Sequence, residues 1–369
     1  MKVLIAGDFC PQHRVAEKFE KNDYETVLGE IKEIISDADY SIVNFECSVT
    51  KGGEKPIEKH GPNLQCSEKG IEAVKWAGFD CVTLANNHFL DYGKEGVEGT
   101  LEACRKYGVD TVGGGVNLSE ASKIHYKEIE GKTLAIINCC EHEFSIATND
   151  TAGSNPLNPI QQFYAIKEAR TKADYVLVIV HGGHEHYQLP SPRMQETYRF
   201  FVDAGADAVV NHHQHCYSGY EVYNRKPIFY GLGNFCFDGN RSGLNMWYEG
   251  YMVIISLDSS ISISVIPYMQ CKEEPIIHLL KMNSYDSQLQ ALNNIISDPD
   301  KLSKETKKYF NLCSNTYSNI FEPFYNRYYL GAKYRGWLPS LITKKKKLEA
   351  ANYIMCEAHR DKLIYYFCN

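Results

Sequence analysis

Short apolar runs in this chain stop repeatedly at a tight group of Asp, Glu, Asn or His residues. Lys2–Gly7 runs into Asp8, Tyr40–Val43 into Asn44-Phe45-Glu46, and Phe79–Leu84 into Ala85-Asn86-Asn87-His88. Asp174–Val180 meets His181-Gly182-Gly183, and Ala206–Val210 meets Asn211–His215. Apolar runs of roughly four to eight residues bounded by polar or Gly-rich turns read as buried strands. Between them lie amphipathic stretches at helical spacing: Tyr24–Asp37, Ser67–Ala77 with Ser67 as N-cap, Gly93–Tyr107 closed by Gly108, Pro159–Lys172 and Pro192–Ala204. Strands alternating with helices predict a layered α/β fold. Ligands in open α/β sheets bind at the carboxyl ends of strands, where these polar groups fall.

Some strands lack helices between them. Ile124–Ile129 and Lys132–Asn138 flank Glu130-Gly131, a hairpin signature. Gly219–Tyr223, Pro227–Tyr230, Tyr251–Leu257 and Ile261–Ile266 read as short antiparallel strands. The sheets are therefore expected to be mixed, or stacked in two. Near residue 270 the composition changes. Residues 272–369 are rich in Lys, Asn, Tyr and Leu, with one long helical pattern over Leu348–Cys368. The expected division is residues 1–270 as the α/β domain and 271–369 as a mostly helical extension. In the extension, Lys344 to Lys347 form a dense basic run, read as a solvated segment or a contact for anionic lipid. Tyr325, Tyr328, Tyr329, Tyr334 and Trp337 form an aromatic cluster, read as core or docking surface.

The net charge of −7 argues against a nucleic-acid partner, which would need a surplus of Lys and Arg facing phosphate. The 13 cysteines are odd in number, with no Cys-x-x-Cys pair, and several sit inside apolar runs. That usage fits buried thiols in a reducing compartment. The apolar start Met1–Gly7 is too short for an export signal, and no run approaches the ~18 apolar residues of a membrane span. The expectation is a cytoplasmic chain that reaches a membrane, if at all, through a partner.

The strand-end groups supply oxygen and imidazole ligands suited to Mn, Fe or Zn. His213 and His215 stand two apart after a strand, so on an extended segment both imidazoles would face one site. Taken singly, each group also fits an ordinary turn or a satisfied histidine. Their shared position at strand ends is what points to a site.

Five segments resemble the CapA family of bacterial capsule and poly-γ-glutamate synthesis proteins. They are Asn44-Phe45-Glu46, Leu84–Gly93 with its Asn-Asn-His-x-x-Asp-Tyr-Gly pattern, His181–Glu185, Gly205–His215, and Pro227–Phe235 with its Leu-Gly-Asn-Phe block. The resemblance covers roughly residues 1–270 and implies a calcineurin-like metallophosphoesterase fold. It matches Asp8 to the Asp of the first Asp-x-His motif and Glu46 to the metal-bridging Asp. Asn87 and His88 match Gly-Asn-His, His181 the isolated metal-binding His, and His213 and His215 the last Gly-His-x-His. Two positions depart from the phosphoesterase pattern. Cys10 replaces the second ligand of the first motif, as a thiolate ligand or as an inert buried thiol, with His13 too far along to substitute directly. Glu46 is one methylene longer than Asp. The resemblance thus implies a firm divalent ion at Asn87, His181, His213 and Glu46, and a weaker one at Asp8, Glu46 and His215.

In that scheme His88 protonates a leaving group or stabilises developing charge, and Asp91 orients it or merely makes a turn. Glu185 is read as an acid/base, a substrate contact or a solvated loop residue, with His184 and His186 beside it. Gly113-Gly114-Gly115 either supports the site or is a plain tight turn, and Asn234 lines the site or holds the His215 loop. The function implied is a metal-dependent hydrolase of surface-polymer biosynthesis acting on a phosphoester or an amide-linked polymer. The other reading is a non-catalytic assembly factor of a capsule or polyglutamate synthase with a vestigial metal site. The expected partners are a small-molecule or polymer substrate and a membrane-associated synthase.

Overall fold

A computed structural model describes residues 1–239, 245–320, 322, 324 and 326–355. The chain divides into two compact units, Met1–Ser303 and Lys304–Asn369.

Beside two small two-stranded sheets, two mixed sheets dominate the first unit. One runs in the order Ile277–Leu279, Ser262–Gln270, Glu249–Ser256, Lys2–Phe9, Tyr40–Phe45, Cys81–Thr83, Asp110–Val112, with Asn234–Cys236 also paired to Lys2–Phe9. The other runs Tyr220–Tyr223, Lys226–Phe229, Ala208–His212, Tyr175–His181, Lys132–Cys140, His125–Ile129. Lys2–Phe9, Tyr40–Phe45, Cys81–Thr83 and Asp110–Val112 are mutually parallel, as are Lys132–Cys140, Tyr175–His181, Ala208–His212 and Lys226–Phe229. The expected layered α/β architecture with mixed sheets is the one observed.

Side chains alternate across a strand, and the core follows that period of two. Val3 and Ile5 face one way, into a cluster with Ile42, Ile136, Ile179 and Val210 that joins the two sheets face to face. Leu4 and Ala6 face the other way, against the helices Tyr24–Ser36 and Lys69–Ala77. On the far side of the second sheet, Val178 and Val209 pack against Pro159–Arg170 and Pro192–Ala204. With both faces covered, the parallel strands are apolar along nearly their whole length. Their polar residues are therefore confined to the ends.

Local signals hold in detail. Gly108 closes its helix in the left-handed conformation at φ 66°. Glu130 and Gly131, at φ 50° and 77°, make the hairpin turn between His125–Ile129 and Lys132–Cys140. Ser67 is not the N-cap expected: the helix starts at Lys69 after Glu68, whose side chain makes no capping bond.

The first unit continues past residue 270. The strand Ile277–Leu279 adds to the first sheet, and the helix Met282–Ile296 buries Tyr285, Leu289 and Ile296 in the two cores. The division expected at 270 therefore falls inside this unit. Helices Arg327–Tyr334 and Lys344–Met355 belong to the second unit. Tyr325 and the expected helix beyond Met355 lie outside the described residues. Among the described residues, no helix is long and apolar enough to cross a membrane.

Candidate metal centre

The carboxyl ends of five parallel strands, three from one sheet and two from the other, meet at one place. Asp8 is the penultimate residue of its strand, Glu46 follows Phe45, and His181 ends its strand. Asn87 and His88 lie in the loop after Cys81–Thr83, and His213 and His215 in the loop after Ala208–His212. Ligand atoms of Glu46, His181 and His213 lie within 4.8 Å of one another, and so do those of Asp8, Glu46 and His215. All are buried. Glu46 belongs to both groups, with one carboxylate oxygen 3.6 Å from His181 Nε2 and 3.7 Å from His215 Nε2. Asn87 Oδ1 is 3.0 Å from the same His181 nitrogen, which is 3.1 Å from His213 Nδ1.

The two histidines of His-x-His arrive differently from the extended geometry anticipated. His213 and His215 both have left-handed backbone, φ 92° and 53°, so the loop coils and each imidazole enters a different ligand group. Asn234 secures this turn: its Oδ1 is 2.9 Å from His215 Nδ1, and its strand pairs with that of Asp8.

Electrostatics decide what the pocket can hold. Burial lowers the pKa values of His181 and His215 well below the ordinary imidazole range, and the neighbouring imidazoles add to it. Both rings are thus neutral donors of lone pairs. Burial likewise raises Glu46 well above the carboxylate range, with Asp8 the second cause, and raises Asp8 to about 7. Both Glu46 oxygens are buried with no hydrogen-bond partner. An unpartnered buried carboxylate is costly unless a cation faces it. Neutral imidazoles around orphaned carboxylate oxygens fit a divalent ion.

Cys10 is fully buried, within 3.3 Å of Gln12 Nε2, and takes part in neither ligand group. Its thiol is raised by burial, as expected of an inert cysteine. His13 instead lines the cleft above the site. This cleft, of about 520 Å³, is also lined by Lys59, His88, Glu185, His186 and Trp247. Glu185 stands at its edge, with half its side chain exposed, and 3.9 Å from His186. His184 is half-buried, and burial lowers its pKa.

His88 Nδ1 lies 2.6 Å from Asp91 Oδ2, so the turn reading of Asp91 gives way to a direct contact. Burial lowers His88, against the opposing pull of Asp91. Three partners of the site were not expected. Lys59 is buried against Asp91, and its ammonium is 3.3 Å from His88 Nδ1. Asn44 Nδ2 donates to Asp8 Oδ1 at 2.8 Å and lies 3.2 Å from His181 Nδ1. Glu143 Oε2 accepts from Asn87 Nδ2 at 3.0 Å. Asn44 sits inside a segment already singled out; Lys59 and Glu143 lie in irregular loops with no periodic signal.

The Gly-rich turn serves by lacking a side chain. A Cβ on Gly113, at φ 89°, would stand 1.9 Å from Asn138 Oδ1. That oxygen accepts from Ala85 N at 2.8 Å and so fixes the start of the Asn87 loop. Gly113→Ala is expected to cost about 3 kcal/mol in urea unfolding, from strain plus overpacking. Gly131→Ala, at φ 77° but in open space, is expected to cost only about 1 kcal/mol. Equal costs would show that Asn138 yields and that the turn is ordinary.

A family model described as "Bacterial capsule synthesis protein PGA_cap" matches residues 2–239. The chain belongs to this family. It is 34% identical over 246 residues to "Capsule biosynthesis protein CapA" of Bacillus anthracis, covering 64% of this chain and 60% of that protein. It is 35% identical over 246 residues to "PGA biosynthesis protein CapA" of Bacillus subtilis, covering 64% and 63%. The chain thus spans less than two thirds of these curated relatives. Among solved structures, it is similar to a phosphatase from Mycoplasma pneumoniae, at 16% identity and a TM-score of 0.47, covering 74% of this chain and 95% of that one.

Proposed function

We propose that this PGA_cap family member is a divalent-metal-dependent hydrolase of capsule or poly-γ-glutamate-type polymer biosynthesis. Its substrate would be a phosphoester or an amide-linked polymer. The observation that carries this reading is Glu46, whose two buried oxygens lack hydrogen-bond partners between two overlapping ligand groups. Asn87, His181, His213 and Glu46 would hold one ion of the Mn, Fe or Zn class, and Asp8, Glu46 and His215 a second. Such an ion supplies Lewis acidity to the bond being broken.

The chain's own residues supply the proton. The His88 ring lines the cleft with its Nδ1–H held by the Asp91 carboxylate, so as the imidazolium, the form that carboxylate favours, it would give its Nε2 proton to a leaving group. Lys59 balances the Asp91 charge and fixes that carboxylate against the ring. Leu64 N donates at 2.6 Å to Asp91 Oδ2, the oxygen that also meets His88, so the loop carrying Lys59 is tied to the same residue.

The test is elemental analysis of the purified chain beside turnover of a generic phosphodiester and of poly-γ-glutamate with Mn added. His88→Ala should retain its metal and lose about 100-fold or more in kcat, the usual weight of a general acid. Full turnover in His88→Ala would remove His88 from the reaction. Stoichiometric metal without turnover on either substrate would refute the hydrolase.

A further inference from the structure

The second unit carries a surface that the metal centre does not use. From Tyr334 to Leu348 the sequence holds Arg335 and Lys344 to Lys347 and no acidic residue, in a chain of net charge −7. Every residue of this stretch except Ile342 is exposed. Its large apolar side chains are exposed too: Tyr334 at 86%, Trp337 at 72%, and Leu338, Leu341 and Leu348. Arg335 lies over the Trp337 ring at 5.3 Å.

The stretch is held in place. Buried Glu322 accepts from Ser340 Oγ at 2.6 Å and Leu341 N at 3.1 Å, and pairs with Lys333 at 2.7 Å. Thr343 Oγ1 accepts from Lys346 N at 3.2 Å, so the four lysines form the first turn of the helix Lys344–Met355. Cations there oppose the positive end of the helix dipole, and like charges in one turn repel. An anionic counterpart reverses both penalties.

We infer that residues 334–348 form a docking surface for a bilayer rich in anionic lipid. Lysines attract the charged headgroups, while Trp, Tyr and Leu enter the interfacial region that amphipathic side chains prefer. A soluble polyanion would satisfy the lysines but offer nothing to Trp337, Leu338, Leu341 and Leu348. This association lies on the surface and needs no spanning helix.

The experiment uses the full chain with vesicles of phosphatidylcholine alone or mixed with phosphatidylserine, read by co-sedimentation and tryptophan fluorescence. Trp247 is buried and Trp76 partly so, so a blue shift reports mainly on Trp337. The expected result is binding to the mixed vesicles only, weakened by salt, with a blue shift. Replacing Lys344, Lys345, Lys346 and Lys347 together by Gln should lower partitioning at least about 30-fold, since each near-surface lysine contributes substantially. Trp337→Ser should remove the blue shift. All five side chains are exposed, so these variants should melt with the parent. Failure to bind mixed vesicles, equal binding to neutral ones, or unchanged binding of the four-lysine variant would overturn the inference. Capture of soluble poly-γ-glutamate without vesicle binding would also overturn it and assign the patch to the polymer.

Discussion

His181→Ala is expected to purify without bound metal and to lose about 1000-fold or more in any metal-dependent turnover. His181 Nε2 is the atom most of the site converges on. Asn87 Oδ1, His213 Nδ1 and a Glu46 oxygen all stand within 3.6 Å of it. Removing the ring opens a space beside a buried carboxylate that already lacks partners. The remaining ligands cannot close around it, because each is fixed at the end of a different strand. Elemental analysis after exhaustive dialysis decides the matter. Retention of stoichiometric metal by His181→Ala would show that the Glu46, His181 and His213 group is not where the ion is held.

The second large effect concerns Asp8 and pH. Burial raises its folded pKa to about 7 from an ordinary 3.8, so the folded metal-free chain holds a proton that the unfolded chain releases. A raised pKa gives stability that is full below the unfolded value and is lost as pH rises through the folded one. For Asp8 that window runs from about 4 to about 7. At about 1.36 kcal/mol per pH unit, the loss is on the order of 4 kcal/mol. Burial lowers His181, His212 and His215, whose contribution to stability therefore rises with pH, so the informative quantity is a difference. In metal-free protein, Asp8→Asn should gain stability relative to the parent as pH rises from 4 to 7. With saturating Mn the ranking should reverse at pH 7, since the cation favours the charged carboxylate and only the parent supplies it. Urea unfolding of both proteins at several pH values, with chelator and with Mn, measures this. A stability difference that stays flat with pH would mean that Asp8 is already ionised in the folded chain.

Together these two results bear on whether the site exists to hold metal. Glu46 is shared by both ligand groups, and its charge has no protein donor to balance it. A fold stabilised for its own sake would replace such a group with an apolar one.

Sequence alone determined most strands of the two main sheets and the residues that end them, though not the strands Asn234–Cys236 and Ile277–Leu279. Apolar runs such as Val3–Ala6 and Val176–Val180 are buried on both faces, so they cannot carry polar side chains except at their ends. Asp8, Glu46, Asn87, His88, His181, His213 and His215 were legible for that reason. The family resemblance already implied how they divide between two ligand groups, but only the tertiary structure shows the turn that does it. Left-handed backbone at His213 and His215 sends the two rings to different ligand groups, and no periodic pattern encodes that turn. Nor could spacing reveal Lys59. It is buried against Asp91 from an irregular loop 32 residues away, held there by hydrogen bonds to Asp91. The extent of the first unit was settled in the same way. The helix Met282–Ile296 is amphipathic by itself, but whether it stands apart or seals a core depends on which apolar surface the two sheets leave open. Here Tyr285 and Leu289 fill that surface. Periodicity fixes which face of an element is apolar; only packing fixes what that face meets.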